Sequence, residues 1–431
     1  MLVSSYLNDN ETQLLFRSIA GAYFKNQRII KNLSLGEASR SLHLNKGFLS
    51  DLEHGNRHFP DGIIFQLNDF YSCLFNDSTS IKKDTEDKLS NAYNYLFQRQ
   101  TSKENNILKE SMAEKNTYEN SYAFFTCKIL ELFYHLRVSH DSDSVVKCKT
   151  FLDDYIYALS NYEKAIYFSL LALFYKRNHS TAKLAHDYIE LSNSFCSKDS
   201  IIFAMNCFQE IAILGEMNRP VLALLMCQKV KVILKELNNY KRLSDIDLFE
   251  GNCLVLLGEQ EEAQARLKSI LELKNNELSS NTSATIQSLA FSFIIDHKYQ
   301  ECIEIVKTLK NNLTDDMQWY IPFCLYQLND FYECEESIKR VYVNSTDINK
   351  HFLLAIQYRI HDDIHKFIEE IKYFYYSTLN KSSYDNVPII LNFILDFVQE
   401  KNNQSLLIKV LLDLNKYHEN NLTSTNSELL K

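Results

Sequence analysis

"LFEGNCLVLLGEQEEAQARLKSILEL", residues 248–273, reads as a helix, a tight turn at Gly258 and a second helix. Gly251 and Gly258 stand seven residues apart, Ala263 follows five later, and Leu267 and Ile270 complete the spacing. Weaker copies of the same unit recur outward from it. Downstream they centre on Cys302 ("HKYQECIEIVKTL"), Cys334 ("LNDFYECEESI"), Lys366 ("IHDDIHKFIEEI") and Leu406 ("KNNQSLLIKVLL"). Upstream they centre on Ala223, Ala182 and Val146. The spacing of 32 to 41 residues marks an array of helix pairs whose copies are degenerate.

The 248–273 unit resembles the tetratricopeptide repeat, in which small residues let two antiparallel helices approach and Leu-type positions fill between units. That resemblance implies an all-α chain with about eight stacked pairs in a right-handed α-solenoid with a concave inner face. Projecting the register onto the first helix of each pair puts Tyr167, Phe174, Phe208, Asn252, Gln287, Trp319, Tyr326, His351 and Tyr358 on that face. Asn252 falls where this repeat class uses asparagine to hold a ligand's peptide backbone through its amide donors and acceptor. Aromatic neighbours would form apolar pockets for a short hydrophobic peptide, although each single aromatic has the alternative of packing between repeats. Pro220 and Pro388 fit helix starts, whereas Pro322 is expected to kink a helix beginning near Asp315.

The composition agrees with helix and excludes several chemistries. With 8 Gly and 4 Pro in 431 residues, few positions exist for hairpins or phosphate-cradling loops. No Walker loop, nucleophile elbow or H-E-x-x-H occurs, so no enzymatic activity and no cofactor are expected. "HDDIH" sets His361 and His365 at i and i+4, but no third ligand stands nearby and no metal is expected. The ten cysteines are scattered singly among apolar neighbours, as reduced core thiols are. No apolar run approaches the ~18 residues that cross a bilayer. The opening "MLVSSYLNDNET" lacks a basic leader start, so a cytoplasmic location without membrane attachment is expected.

Five of the eight glycines (Gly21, Gly36, Gly47, Gly55, Gly62) fall in the first 62 residues, so that end is built differently. Charge divides the same way. The whole chain carries −9, yet residues 13–60 hold seven Lys/Arg against three acids, with His43, His54 and His58 besides. An acidic body binds nucleic acid only through a local basic patch, and one copy of this modest patch would bind weakly. Helical spacing of Leu15, Ile19, Ala22, Tyr23, Ile29 and Ile30 predicts a first helix. Ser34 and Glu37 form a capping-box pattern opening a second, to about Leu42. After a turn at His43-Leu44, Asn45 caps a third helix with Phe48, Leu49 and Leu52 inward, ending near Gly55. Pro60-Asp61 open a fourth with Ile63, Ile64, Leu67, Phe70, Tyr71 and Leu74 on one side. Two short helices across a tight turn, bracketed by others, describe a helix-turn-helix.

Residues 28–60 resemble the helix-turn-helix of the Cro/CI (XRE) repressor family. "RIIKNLSLGEASRSL" is similar to its first two helices, and "LNKGFLSDLEHGNRHFP" to its recognition helix and exit. The family usually has Gly where His43 stands and Gln where Leu35 stands. The resemblance implies that Asn45, Lys46, Gly47, Ser50 and Asp51 face DNA, with Ser50, Arg57 and His58 placed for phosphates. Lys46 would reach guanine or a phosphate, and Asp51 would accept from cytosine or repel a phosphate. A helix-turn-helix followed by such repeats resembles the RRNPP regulators. That implies a DNA-binding domain over 1–75, a linker or weakly packed helix start over 76–87, and a peptide-binding and dimerising repeat domain over 88–431. The function implied is a cytoplasmic quorum-sensing-type regulator that binds double-stranded operator DNA as a homodimer and is switched by a short signalling peptide. Two alternatives stay open: a repeat adaptor or phosphatase-type regulator acting mainly on a protein partner, and a ligand-independent repressor.

Overall fold

The computed structural model describes residues 9–176, 179–273, 280–309, 313–314, 317–381, 387–400 and 412. Over these residues the chain is all-α, with one isolated bridge between Asn76 and Ser121. It divides into two compact units, Met1–Phe174 with Leu184–Cys207, and Tyr175–Lys183 with Phe208–Lys431.

The first unit opens with α1 (Asp9–Ile30), α2 (Leu35–Ser41), α3 (Lys46–Glu53) and α4 (Ile63–Tyr71). The capping box forms: the Ser34 hydroxyl accepts from the Glu37 amide at 3.2 Å, and the Glu37 carboxylate from the Ser34 amide at 2.8 Å. His43 takes the left-handed turn position at φ 54, and the Gly47 amide donates to the Asn45 cap at 2.8 Å. Ile29 and Ile30 are exposed, contrary to the helical projection. The inner face one turn past Phe24 is given to Arg28, which pairs with Glu53. Leu74 is also exposed, because α4 ends at Tyr71 and Ser72 turns left-handed at φ 47. Phe75 is buried in its stead.

The unit continues with α5 (Thr79–Phe97), α6 (Thr101–Ala113), α7 (Lys115–Glu119), α8 (Phe124–Tyr134) and α9 (Ser142–Asp154), followed by a 3₁₀ turn at Ile156–Ala158. Residues 79–87 are the first turns of α5, and Lys82 and Thr85 in them are buried. A polar stretch without an apolar stripe is packed here through an ion pair: Lys82 Nζ lies 2.6 Å from Glu163 Oε1 and 2.6 Å from Thr126 Oγ1. α1 seats on these elements through aromatic edges, Tyr23 on Phe124 at 5.4 Å and Phe16 on Tyr122 at 5.2 Å between centroids. Then come α10 (Asn161–Tyr175), α11 (His179–Ser194) and α12 (Ile201–Glu216), of which Leu184–Cys207 belong to this unit and Tyr175–Lys183 and residues 208–216 to the second. Phe168 of α10 stacks on Tyr188 of α11 at 6.1 Å.

The second unit holds α13 (Pro220–Glu236), α14 (Tyr240–Leu257), α15 (Gln260–Leu273), α16 (Ser280–Ile295), α17 (Tyr299–Lys307), α18 (Tyr320–Gln327), α19 (Phe331–Tyr342), α20 (Asp347–Ile360), α21 (Ile364–Lys381) and α22 (Val387–Glu400). A Cβ on Gly251 would stand 2.7 Å from Leu267 Cδ2, so the missing side chain is what lets α14 and α15 close. Ala182, Ala223, Ala263, Cys302 and Cys334 are all buried, as their anchor role requires. Lys366 is exposed while Phe367 is buried, and Val146 is exposed while Val145 is buried, so both of those copies lie one residue out of the expected register. Leu406 lies outside the described residues. The turns explain the scarcity of glycine: Asn218, Asn238, His297, Asn329 and Asp362 take the left-handed position with φ from 53 to 60. Short polar side chains that bond locally tolerate that region best after glycine. Pro322 makes no kink, because α18 starts at Tyr320 and leaves the ring in the first turn, where no amide is missed. Eight of the ten cysteines are buried, and burial pushes the Cys127 thiol up to about 12 and Cys148 to about 11, away from reactive thiolates.

Candidate DNA-binding face and repeat inner faces

α3 presents two unlike sides. Leu49, Leu52 and Glu53 are buried, while Asn45, Lys46, Gly47 and Asp51 are exposed and Ser50 is half-buried. Lys46 and Asp51 enter no ion pair among the described residues. Arg57 and His58, in the loop after α3, are exposed, and His58 Nε2 accepts from the Arg17 guanidinium. Phe48, expected inward, is half-exposed, with the Arg57 guanidinium 4.9 Å from its ring centroid.

The back of α3 is held by a contact that no spacing rule announces. Arg28 Nε and Nη2 donate to the two Glu53 oxygens at 2.7 and 2.8 Å, and Arg28 Nη1 donates to the Leu33 carbonyl at 2.8 Å. Hydrogen bonding to Glu53 lifts Arg28 above its ordinary pKa against the opposing effect of burial. This pairing also thins the basic patch. Arg28 is neutralised, Arg17 is tied to His58, and Lys25 lies over the Tyr155 and Tyr157 rings at 5.6 and 5.7 Å. Lys31, Arg40, Lys46 and Arg57 remain exposed for an anion. At the same end of α3, the Tyr157 hydroxyl donates to the Glu53 carbonyl at 3.4 Å and the His54 ring stacks on Tyr157 at 6.3 Å.

Of the residues projected onto the repeats' inner face, three lie in the packing between helices. Tyr167, in the first unit, is buried and its hydroxyl donates to Asp153 Oδ1 at 2.7 Å. In the second unit Phe208 is buried beneath the Arg242 guanidinium at 4.4 Å. Trp319 is 1% exposed, edge-on to Phe352 at 5.1 Å. Phe174, Asn252, Gln287, Tyr326, His351 and Tyr358 keep partial exposure. Tyr326 meets Phe393 of α22 at 5.4 Å, so the chain's own last described helix covers that position. His351 turns to α21, where it bonds Glu370 and overlies Tyr373 at 3.8 Å. With the register of this copy moved by one, Phe352 and Arg359 replace His351 and Tyr358 in the projection; Phe352 is buried and Arg359 pairs with Glu400 at 2.7 Å. Asn252 stands apart: its Oδ1 is buried and accepts no hydrogen bond among the described residues. A buried acceptor left unmet costs about 1–3 kcal/mol. His361 and His365 do not share a helix face, since α20 ends at Ile360 and α21 begins at Ile364; His361 Nε2 sits 2.7 Å from Glu335 Oε1.

No protein-family model matches the chain, and no curated protein matches it in sequence. Solved structures do. A Rap protein complexed with Competence and Sporulation Factor aligns over 79% of this chain and 99% of its own, with a TM-score of 0.64 at 10% identity. In fold, this chain is similar to that Rap protein. Bacillus thuringiensis PlcR in complex with the peptide PapR7 and DNA aligns over 68% of this chain and 99% of its own, at 14% identity. Its TM-score of 0.33 is too low to carry a structural argument. The likeness to the Rap protein extends to the helical fold and, at that identity, no further. No helix among the described residues is long and apolar enough to cross a membrane.

Proposed function

We propose that this chain is a cytoplasmic transcription regulator, without enzymatic activity, that binds operator DNA through α3 and answers to a short peptide held by its repeat helices. The observation that carries this reading is the face of α3: Asn45, Lys46 and Asp51 are exposed while Leu49, Leu52 and the Arg28–Glu53 pair fix the helix from behind. A helix pinned on one side and bare and polar at its N-terminal end is suited to enter a major groove. The peptide half is supported by the partial exposure of Asn252 on a first repeat helix and by a fold shared with a protein solved in complex with Competence and Sporulation Factor. Four exposed basic side chains per module make a weak single site, so the regulator works as a homodimer on half-sites about 34 Å apart or a multiple of that. The peptide acts by population shift, binding one arrangement of the repeats better than another and so resetting the spacing of the two modules.

Selection of genomic fragments on the purified chain, followed by titration of the enriched duplex, tests the DNA half. The expected outcome is a palindromic site for which Lys46→Ala loses about tenfold or more in affinity at unchanged unfolding temperature. A wild-type chain that enriches no duplex would end that half. For the sensing half, the chain is purified from its own cells and its small ligands are read by mass spectrometry. A bound peptide that Asn252→Ala no longer retains is expected; capture of a folded protein and no peptide would move the reading to a protein partner.

A further inference from the structure

The chain leaves α3 by a constructed reversal. Gly55 sits at φ 71, its amide donates to the Leu52 carbonyl at 3.0 Å, and the Asn56 amide reaches the Asp51 carbonyl at 2.9 Å. A Cβ on Gly55 would stand 2.7 Å from Ser18 Cα, so the turn is pressed against α1 and requires glycine twice over. That reversal brings Arg57 back over α3, with its guanidinium 4.9 Å from the centroid of the Phe48 ring. The next residue, His58, is tied to Arg17 of α1. Arg57 is therefore exposed, in no ion pair among the described residues, and constrained by both chain neighbours.

We infer that Phe48 is a positioning residue for DNA binding: its ring is a platform that pre-sets the Arg57 guanidinium to grip a backbone phosphate beside the groove that α3 enters. The inference rests on the DNA-binding reading above. An arginine that waves in solvent gives up its side-chain freedom when it meets a phosphate, whereas one already lying on an aromatic face has given it up beforehand. The ring meets the guanidinium through its π face and accepts none of its five N–H donors as a phosphate oxygen would, so platform and ligand do not compete. Leucine at 48 would fill much of the same space without the ring's negative face.

The test is binding of the full chain to a short random-sequence duplex across a salt series, by fluorescence anisotropy, with thermal unfolding read beside it. Arg57→Ala is expected to lower the slope of log K against log salt by about 0.9, the share of one phosphate contact. Phe48→Leu should lower affinity about two- to fivefold with the slope kept. Phe48→Tyr should restore it, and Phe48→Leu should add nothing once Arg57 is alanine. An equal loss from Phe48→Leu with and without Arg57 would make the ring a plain structural support and overturn the inference, as would a Phe48→Leu chain that binds like wild type. A wild-type chain with no duplex binding at low salt fails differently, removing the DNA-binding reading itself and this inference with it.

Discussion

Arg28 illustrates how a single residue's role is set by its partner. In the charge census it counts toward a DNA-facing patch, yet it is 13% exposed and locked to a carboxylate that is 2% exposed. Removing one member leaves the other buried and unpaired, so Glu53→Ala should cost about 3–5 kcal/mol in urea unfolding, and Arg28→Met with Glu53→Leu should regain most of that. A double variant no better than the single one would mean the pair is not the clamp. The buried Lys82–Glu163 pair makes a statement about pH. Burial pushes Glu163 up, but the Lys82 charge and hydrogen bonds from Lys82, Thr126 and the Ser160 amide outweigh it and leave its pKa below the ordinary carboxylate value. A depressed carboxylate contributes stability above its unfolded pKa of about 4.3 and loses it as pH falls through the folded value. Glu86, which burial shifts upward, works the other way. The unfolding midpoint should therefore fall in acid, and Glu163→Gln should be less stable at neutral pH and flatter below pH about 4; profiles of equal steepness would refute this. None of these pairings was visible in sequence, where the partners lie 25 and 81 residues apart.

Within the helix pairs, close approach decides what a position tolerates. Alanine normally helps a helix by about 1 kcal/mol over glycine, but a Cβ on Gly251 would meet the buried Leu267 side chain. Gly251→Ala is therefore expected to destabilise by about 1–3 kcal/mol, with Leu267→Val recovering part of the loss. A neutral or stabilising Gly251→Ala in thermal unfolding would show that the pair is looser than 2.7 Å implies. Helix identity, the capping box at Ser34, the cap at Asn45 and the anchors from Ala182 to Cys334 were legible because they rest on local chemistry and a 3.6-residue period. The start of α18 was not, since periodicity cannot tell that the residues before Tyr320 decline the helix. Nor was the one-residue slip at Lys366, where an exposed lysine beside a buried phenylalanine fits the pattern in either register.

At the scale of the molecule, the proposed regulator should be a dimer in solution. Sedimentation of the full chain at micromolar concentration is expected to give twice 50.5 kDa, and a nuclease footprint should show two protected half-sites about one helical turn, or a multiple of it, apart. A monomer with a single protected half-site would contradict the proposal. Sequence by itself determined the all-α class, the repeating pair and the exposed polar face of α3, because each follows from periods and caps confined to a few neighbouring residues. It placed Asn252 on the first helix of a pair, where α14 carries it, but it could not tell which positions of that register are buried. Tyr167, Phe208 and Trp319 obey the same register as Asn252 and yet are buried. Only the tertiary structure decided that, and likewise that Arg28 belongs to Glu53, that Phe48 belongs to Arg57 and that Phe393 covers Tyr326. Burial and pairing depend on which distant helix arrives at a given face, and that choice belongs to the packing of the whole unit.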